Sequence, residues 1–193
     1  MHTFFQKYFF IDKFDTKILD YQDPRTIIIY RNYQNTKIDL KSLLKLKNYC
    51  KTKRFKFLVS NNFQLALKLN LDGAYIPAFN ESMKHLSFSI KKNFMIIGSA
   101  HNIRQIRIKE KQNTSSIVIS SLFKKNKNYL GLYRFSILRN LTNKKIIGLG
   151  GINKFNINKI KTLKCDGFAG ISYFEKKGPY KRGLFNKYFS KYN

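Results

Sequence analysis

The stretch Lys145-Ile146-Ile147-Gly148-Leu149-Gly150-Gly151-Ile152-Asn153 decides the fold, together with Asp166-Gly167-Phe168-Ala169-Gly170-Ile171-Ser172 one helix length further on. Each is a short apolar strand that runs into residues too small to block a ligand. Glycine lets the backbone approach closely and leaves its N–H groups bare, and a helix starting just afterwards adds a positive dipole end. Two such ends on consecutive parallel strands are the usual phosphate grip of a (β/α)8 barrel. The expectation is an α/β chain, a compact (β/α)8 barrel, whose ligand is a phosphorylated small molecule.

Working outward, short apolar, β-branched or aromatic runs recur at intervals that leave room for helices. They predict strands at 8–12, 26–30, 55–60, 73–77, 94–99, 117–123, 145–149 and 167–172. Between them, Leu40, Leu43 and Leu44 are placed on one helical face, with Leu46 and Cys50 close beside it. Phe63, Ala66 and Leu67, and then Ile157, Ile160 and Leu163, repeat the helical spacing. Asn153 is the expected N-cap of the last of these. Strands alternating with helices argue for parallel βαβ units. The interval before the second strand is only 13 residues long and includes Asp23-Pro24, so the first helix is short or absent, and 81–93 is a weak helix. The tail sets Phe185, Tyr188, Phe189 and Tyr192 at helical spacing among Lys181, Arg182, Lys187 and Lys191, which predicts a basic aromatic helix over 175–193.

With 193 residues and 43% hydrophobic content, the chain is expected to form one domain over 1–193 with a real core. Its net charge of +28 comes from 38 Lys and Arg against 10 Asp and Glu. That excess has two readings: a nucleic-acid or anionic-surface binder, or an AT-rich coding bias that enriches Lys, Asn, Ile, Phe and Tyr. Cys50 and Cys165 belong to no CxxC or metal-ligand pattern, so inert thiols are expected. There is no apolar run of about 18 residues that would span a membrane. The opening MHTFFQKYFFIDKFD is broken by Lys7 and Asp12 and lacks a small-residue cleavage site. A cytoplasmic protein is the simplest expectation.

The run Leu58-Val59-Ser60-Asn61-Asn62-Phe63-Gln64-Leu65-Ala66, then Leu71-Asp72-Gly73-Ala74-Tyr75-Ile76, resembles the "N-D-R-x-D-L-A…A-D-G-V-H-L-G-Q-x-D" stretch of the thiamine phosphate synthase/TenI family. Ile97-Gly98-Ser99-Ala100-His101 resembles its "G-x-S-x-H", and Ser120-Ser121-Leu122-Phe123 its "G-P-I-F". Gly148-Leu149-Gly150-Gly151-Ile152-Asn153 and Asp166–Ser172 are similar to its "A-I-G-G-I-N" and "A-D-G-V-A-V-I-S". No one motif is specific; the six in order are.

The resemblance implies a transferase. Synthases of this family join a pyrimidine diphosphate to a thiazole phosphate and release pyrophosphate, with Mg2+ on the departing group. It also implies roles. Gly150, Gly151, Ile171 and Ser172 match the phosphate-binding backbone. Ser99 falls on the serine that contacts the diphosphate, and Ser60 and Arg31 stand on the same diphosphate side. The lysine of the family's "P-T-x-T-K" loop falls at or beside Lys127, with Lys124 and Lys125 next to it, so Lys127 joins the diphosphate-binding set and, with Ser99, is a catalytic candidate. Two departures weigh against the reaction. The Gln and Lys flanking the arginine have become Ile29 and Tyr33, and the two magnesium-binding aspartates fall on Asn61 and Asn80. Neutral amides are poor ligands for a hard cation, so no metal site is expected, and Mg2+ is the implied cofactor only if the synthase activity is retained. The tautomerase branch's histidine falls at Ser121. The alternative is a non-catalytic relative that keeps the phosphate grip.

Other residues carry open readings. His101 is a surface or capping residue, or an acid–base group; His2 and His85 have no context. Tyr75 and Phe79 either stack on a heteroaromatic ring or pack the barrel mouth. Asp12 and Asp15 either replace the missing carboxylates or sit in a solvated loop.

Overall fold

The computed structural model describes residues 5–33 and 39–175. Eight parallel strands close into a barrel in chain order: β1 (Gln6–Ile11), β2 (Ile27–Tyr30), β3 (Lys56–Ser60), β4 (Gly73–Ile76), β5 (Met95–Ala100), β6 (Ser116–Ser120), β7 (Lys145–Leu149) and β8 (Gly167–Gly170). Closure is made by β1 against β8, from Gln6 opposite Gly167 to Phe9 opposite Gly170. The (β/α)8 expectation holds. The strands are near-continuous apolar runs because both of their faces are buried. Alternate residues feed two cores. Tyr8, Phe10, Ile29, Leu58, Tyr75, Ile97, Val118 and Ile147 fill the barrel. Phe9, Ile28, Val59, Ala74, Ile96, Ile119 and Ile146 pack outward under the helices. The interior is therefore a packed core, and a ligand has access only at the strand ends.

The helices are α1 (Thr16–Leu19), α2 (Leu40–Thr52), α3 (Phe63–Lys68), α4 (Ile103–Lys111), α5 (Gly131–Asn140), α6 (Ile157–Thr162) and α7 (Ser172–Glu175). As expected, α1 is a single turn, capped by Asp15. Side chains of Asp39, Asn62 and Asn102 cap α2, α3 and α4. Between β4 and β5 the weak helix of 81–93 reduces to one 3-10 turn, Lys84–Ser87.

Three local expectations are corrected. The buried stripe of α2 is Leu43, Leu46 and Cys50, whereas Leu40 and Leu44 are exposed. Asn153 does not cap α6 directly. Its carboxamide oxygen accepts the N–H groups of Phe155 and Asn156 in a preceding turn, and the helix opens at Ile157. The strand of 117–123 ends at Ser120, because Ser121 and Leu122 turn away to bond Asn128 and Leu149. The helix expected over 175–193 lies outside the described residues beyond Glu175.

At the opposite end of the barrel, Lys7 and Asp23 form a buried ion pair at 2.8 Å. Both cysteines are free and buried, and burial pushes each thiol up to about 12, so neither is a nucleophile at neutral pH. Among the described residues no helix is long and apolar enough to cross a membrane.

Candidate phosphate-binding site at the mouth of the barrel

The end of β7 turns through two residues with positive φ, Gly150 at 109° and Gly151 at 70°. Their carbonyls are all engaged: Leu149 O accepts from Leu122, Gly150 O from Phe123 and Lys124, and Gly151 O from the Asn156 side chain. The amides of Gly150, Gly151, Ile171 and Ser172 donate to no group among the described residues. Carbonyls tied back and amides left over make a surface that accepts an anion. There is no room for a side chain here. A Cβ on Gly150 would stand 2.4 Å from Ser121 Oγ, and one on Gly151 2.7 Å from the Lys124 nitrogen.

The same bonds hold the lysine loop beside the grip. Ser121 Oγ donates to Lys124 O at 2.8 Å, and the Ser121 amide donates to Asn128 O at 2.8 Å. Lys124, Lys125 and Lys127 are exposed at this rim. Ser121, at the position of the tautomerase histidine, is thereby a structural residue.

Across the mouth, the Arg31 guanidinium lies 4.5 Å over the Phe10 ring and 5.9 Å from that of Tyr33. The Tyr75 hydroxyl meets Ser99 and Arg31, and burial pushes its pKa up to about 12. Tyr75 is thus an interior residue, edge-on to Phe10 at 5.1 Å. It does not offer the ring-stacking surface that was one of its two readings. Phe79 is 66% exposed and meets Tyr33 edge-on. Tyr33 also uses its hydroxyl, 2.9 Å from Ser60 Oγ. Ser60 is therefore brought to the mouth but already engaged.

Asn61 and Asn80 come together. Asn80 Nδ2 donates to Asn61 Oδ1 at 2.6 Å, and Asn80 Oδ1 accepts the Ser82 amide at 2.8 Å. Both side-chain oxygens are spent on neutral donors. Among the described residues no group of three His, Cys, Asp or Glu is placed to hold a metal ion. A hard divalent cation takes carboxylate, carbonyl and phosphate oxygens, and this donor set does not fit magnesium. Asp12 and Asp15 do not repair it. They border a cavity of about 420 Å3 between β1, β2 and the end of β8, with Arg31, Tyr33, Ile171 and Glu175, that neither Asn61 nor Asn80 lines.

His101 braces β6, with Nδ1 2.7 Å from Ser120 O and 3.2 Å from Ser120 Oγ. His85, which has no context in sequence, is buried, stacked on Phe63 and bonded to Gln112 O. Lys109 was missed altogether. It is buried on α4, and burial pushes its amine down to about 8. Its place three residues after Ile106, on the inward stripe of an amphipathic helix, was the available signal.

The fold is a (β/α)8 barrel whose mouth, at the ends of β7 and β8, presents unengaged amides suited to an anion. The thiamine monophosphate synthase family model matches residues 17–174, and the chain belongs to that family. It is 24% identical over 152 residues to a thiamine-phosphate synthase of Clostridium acetobutylicum, covering 76% of this chain and 72% of that one. It is 29% identical over 142 residues to the Prochlorococcus marinus enzyme, covering 72% of this chain but only 40% of that longer protein. In structure it is similar to thiamine phosphate pyrophosphorylase from Pyrococcus furiosus, with a TM-score of 0.71, 18% identity and 89% and 88% of the two chains covered. The Bacteroides thetaiotaomicron pyrophosphorylase superposes with a TM-score of 0.57 at 13% identity, covering 94% and 88%.

Proposed function

We propose that this thiamine phosphate synthase-like chain binds a phosphorylated small molecule of the thiazole phosphate kind and does so without magnesium. The observation that carries the reading is the set of unengaged amides at Gly150, Gly151, Ile171 and Ser172, beside carbonyls that are all engaged. In this reading those amides hold the phosphate. Lys127, with Lys124 and Lys125, adds charge at the rim as mobile point charges. The cavity bordered by Arg31 and Ile171 takes the body of the ligand.

The synthase reaction asks for more. A diphosphate must leave in line, with its developing charge neutralised by fixed groups. Ser99 and Arg31 face that side and would orient the diphosphate, but Ser60 is occupied by Tyr33 and the metal position is closed by two amides. The free, buried thiols suit a reducing cytoplasm.

Calorimetry with thiazole phosphate and with the unphosphorylated alcohol tests the ligand. The ester should bind, with the alcohol at least about tenfold weaker, because charge-assisted bonds to the phosphate supply the difference. Equal affinities, or no binding of the ester, would remove the reading. Incubation with both thiamine precursors and Mg2+ should yield no thiamine phosphate. Turnover under those conditions would reinstate the synthase.

A further inference from the structure

Behind the Asn61–Asn80 pair lies a charge that phosphate binding leaves unused. Lys109 is fully buried, and its ammonium donates to Pro77 O at 2.9 Å, Asn80 O at 2.7 Å and Gln112 Oε1 at 2.9 Å. Gln112 reinforces the same loop, with Nε2 donating to Asn80 O at 3.0 Å and Ser82 O at 2.9 Å. The Gln112 carbonyl is in turn held by His85. The lysine stem fits because β5 carries Gly98 beside it, where a Cβ would come within 2.7 Å of Lys109 Cδ.

Every hydrogen-bond acceptor of this ammonium is neutral. The carboxylate that acts on it at longer range, Glu81, is itself paired with Arg104 at 3.3 Å. A buried cation without a bonded counter-ion is costly unless its donors are needed. Here all three are used, and two of them seize the loop that carries Asn80.

We propose that Lys109 is the fixed cation of this barrel mouth: it holds the Asn80 loop on Asn61 and keeps a divalent metal out. The inference rests on the metal-free reading of the site. Asn80 receives the ammonium through its backbone and would have to ligate a metal through its own side chain, so two cations would stand one residue apart. Repulsion between a double and a single charge at partly buried sites is worth roughly tenfold or more in affinity. Loss of the two carboxylates is then only half of the departure from a metal site, and the buried lysine is the other half.

Mn2+ binding, followed by electron paramagnetic resonance, tests the charge. The native protein should show none. Asn61→Asp/Asn80→Asp should show no saturable binding across the micromolar range, and adding Lys109→Gln or Lys109→Met should tighten binding at least about tenfold. Micromolar binding by the two-aspartate protein would overturn the proposal, and needs no lysine variant to be read. So would equal affinity with and without the lysine. For the holding role, Lys109→Gln alone should speed amide exchange at Ser82 while β6 and β7 stay protected; unchanged exchange would remove that role. Thiazole phosphate binding by the native protein is measured separately. Its absence sinks the ligand reading and leaves the Mn2+ result intact.

Discussion

Gly151→Val is expected to cost the protein its phosphate ligand, with affinity falling a hundredfold or more. The residue has φ of 70°, a region that a β-branched side chain scarcely adopts, and an added Cβ would stand 2.7 Å from the Lys124 backbone nitrogen. Either the β7 turn or the lysine loop must move, and both carry the proposed grip. Losing two charge-assisted bonds of about 1.5–3 kcal/mol each is enough for a change of that size. Forced positive φ adds about 1–3 kcal/mol of destabilisation, seen as a lower melting temperature. Gly150→Val should behave alike, since its Cβ would meet Ser121 Oγ at 2.4 Å. Calorimetry on folded variants decides the matter. Native affinity in either one would show that the phosphate does not sit on this backbone.

The largest effect on stability should come from Asp23→Ala, at the other end of the barrel. Lys7 and Asp23 are 4% and 2% exposed, and the carboxylate also accepts the Arg25 amide at 3.0 Å. Removing it takes from a buried ammonium the carboxylate that lies 2.8 Å away, and breaking a buried ion pair typically costs about 3–5 kcal/mol. Replacing both partners, as in Lys7→Met/Asp23→Leu, should recover most of that loss, because desolvation is then no longer demanded of either charge. A denaturant melt of the single and double variants checks both statements. A loss under about 1 kcal/mol in the single variant would mean that the pair is solvated.

The same pair sets part of the acid limit. Desolvation pushes the Asp23 carboxyl up, but the hydrogen bonds from Lys7 and the Arg25 backbone outweigh it and hold the group below its ordinary 3.8. A carboxyl with a depressed folded pKa contributes stability that is fully present above its unfolded value. That contribution fades as pH falls from about 4 through the folded value. Asp23→Ala should therefore flatten the acid limb of the stability curve.

Local reading reached a long way in this chain because barrel strands announce themselves. The apolar runs Ile27-Ile28-Ile29 and Ile117-Val118-Ile119 have no alternative that buries both faces. The glycines at 150 and 151 were equally legible, since few other residues tolerate such a turn. Helix ends were less so. The choice between Asn153 and Asn156 as the start of α6 depends on which amides the chain leaves free, and several asparagines compete locally. The face of α2 was misplaced for a related reason. Leu40, Leu43 and Leu44 are equivalent by composition, and only the strand surface beneath selects Leu43 for burial.

The site divided along the same line. The resemblance sets Asn61 and Asn80 where the family has its magnesium-binding aspartates, and their neutrality is legible because an amide carries no charge wherever it is placed. Their direct bond could not be read, nor Tyr33 closing on Ser60, nor Lys109 buried beneath them. Each joins residues from different strand–helix units, separated by 19, 27 and 29 positions in the chain. Local composition and periodicity settled the barrel, its glycine turns after β7 and the neutrality of positions 61 and 80, since these depend on residue type and spacing of neighbours. Whether those neutral groups stay open or close on one another depends on side chains of adjacent strand–helix units, which meet only when β2, β3, β4 and β5 pair side by side. That closure belongs to the tertiary structure.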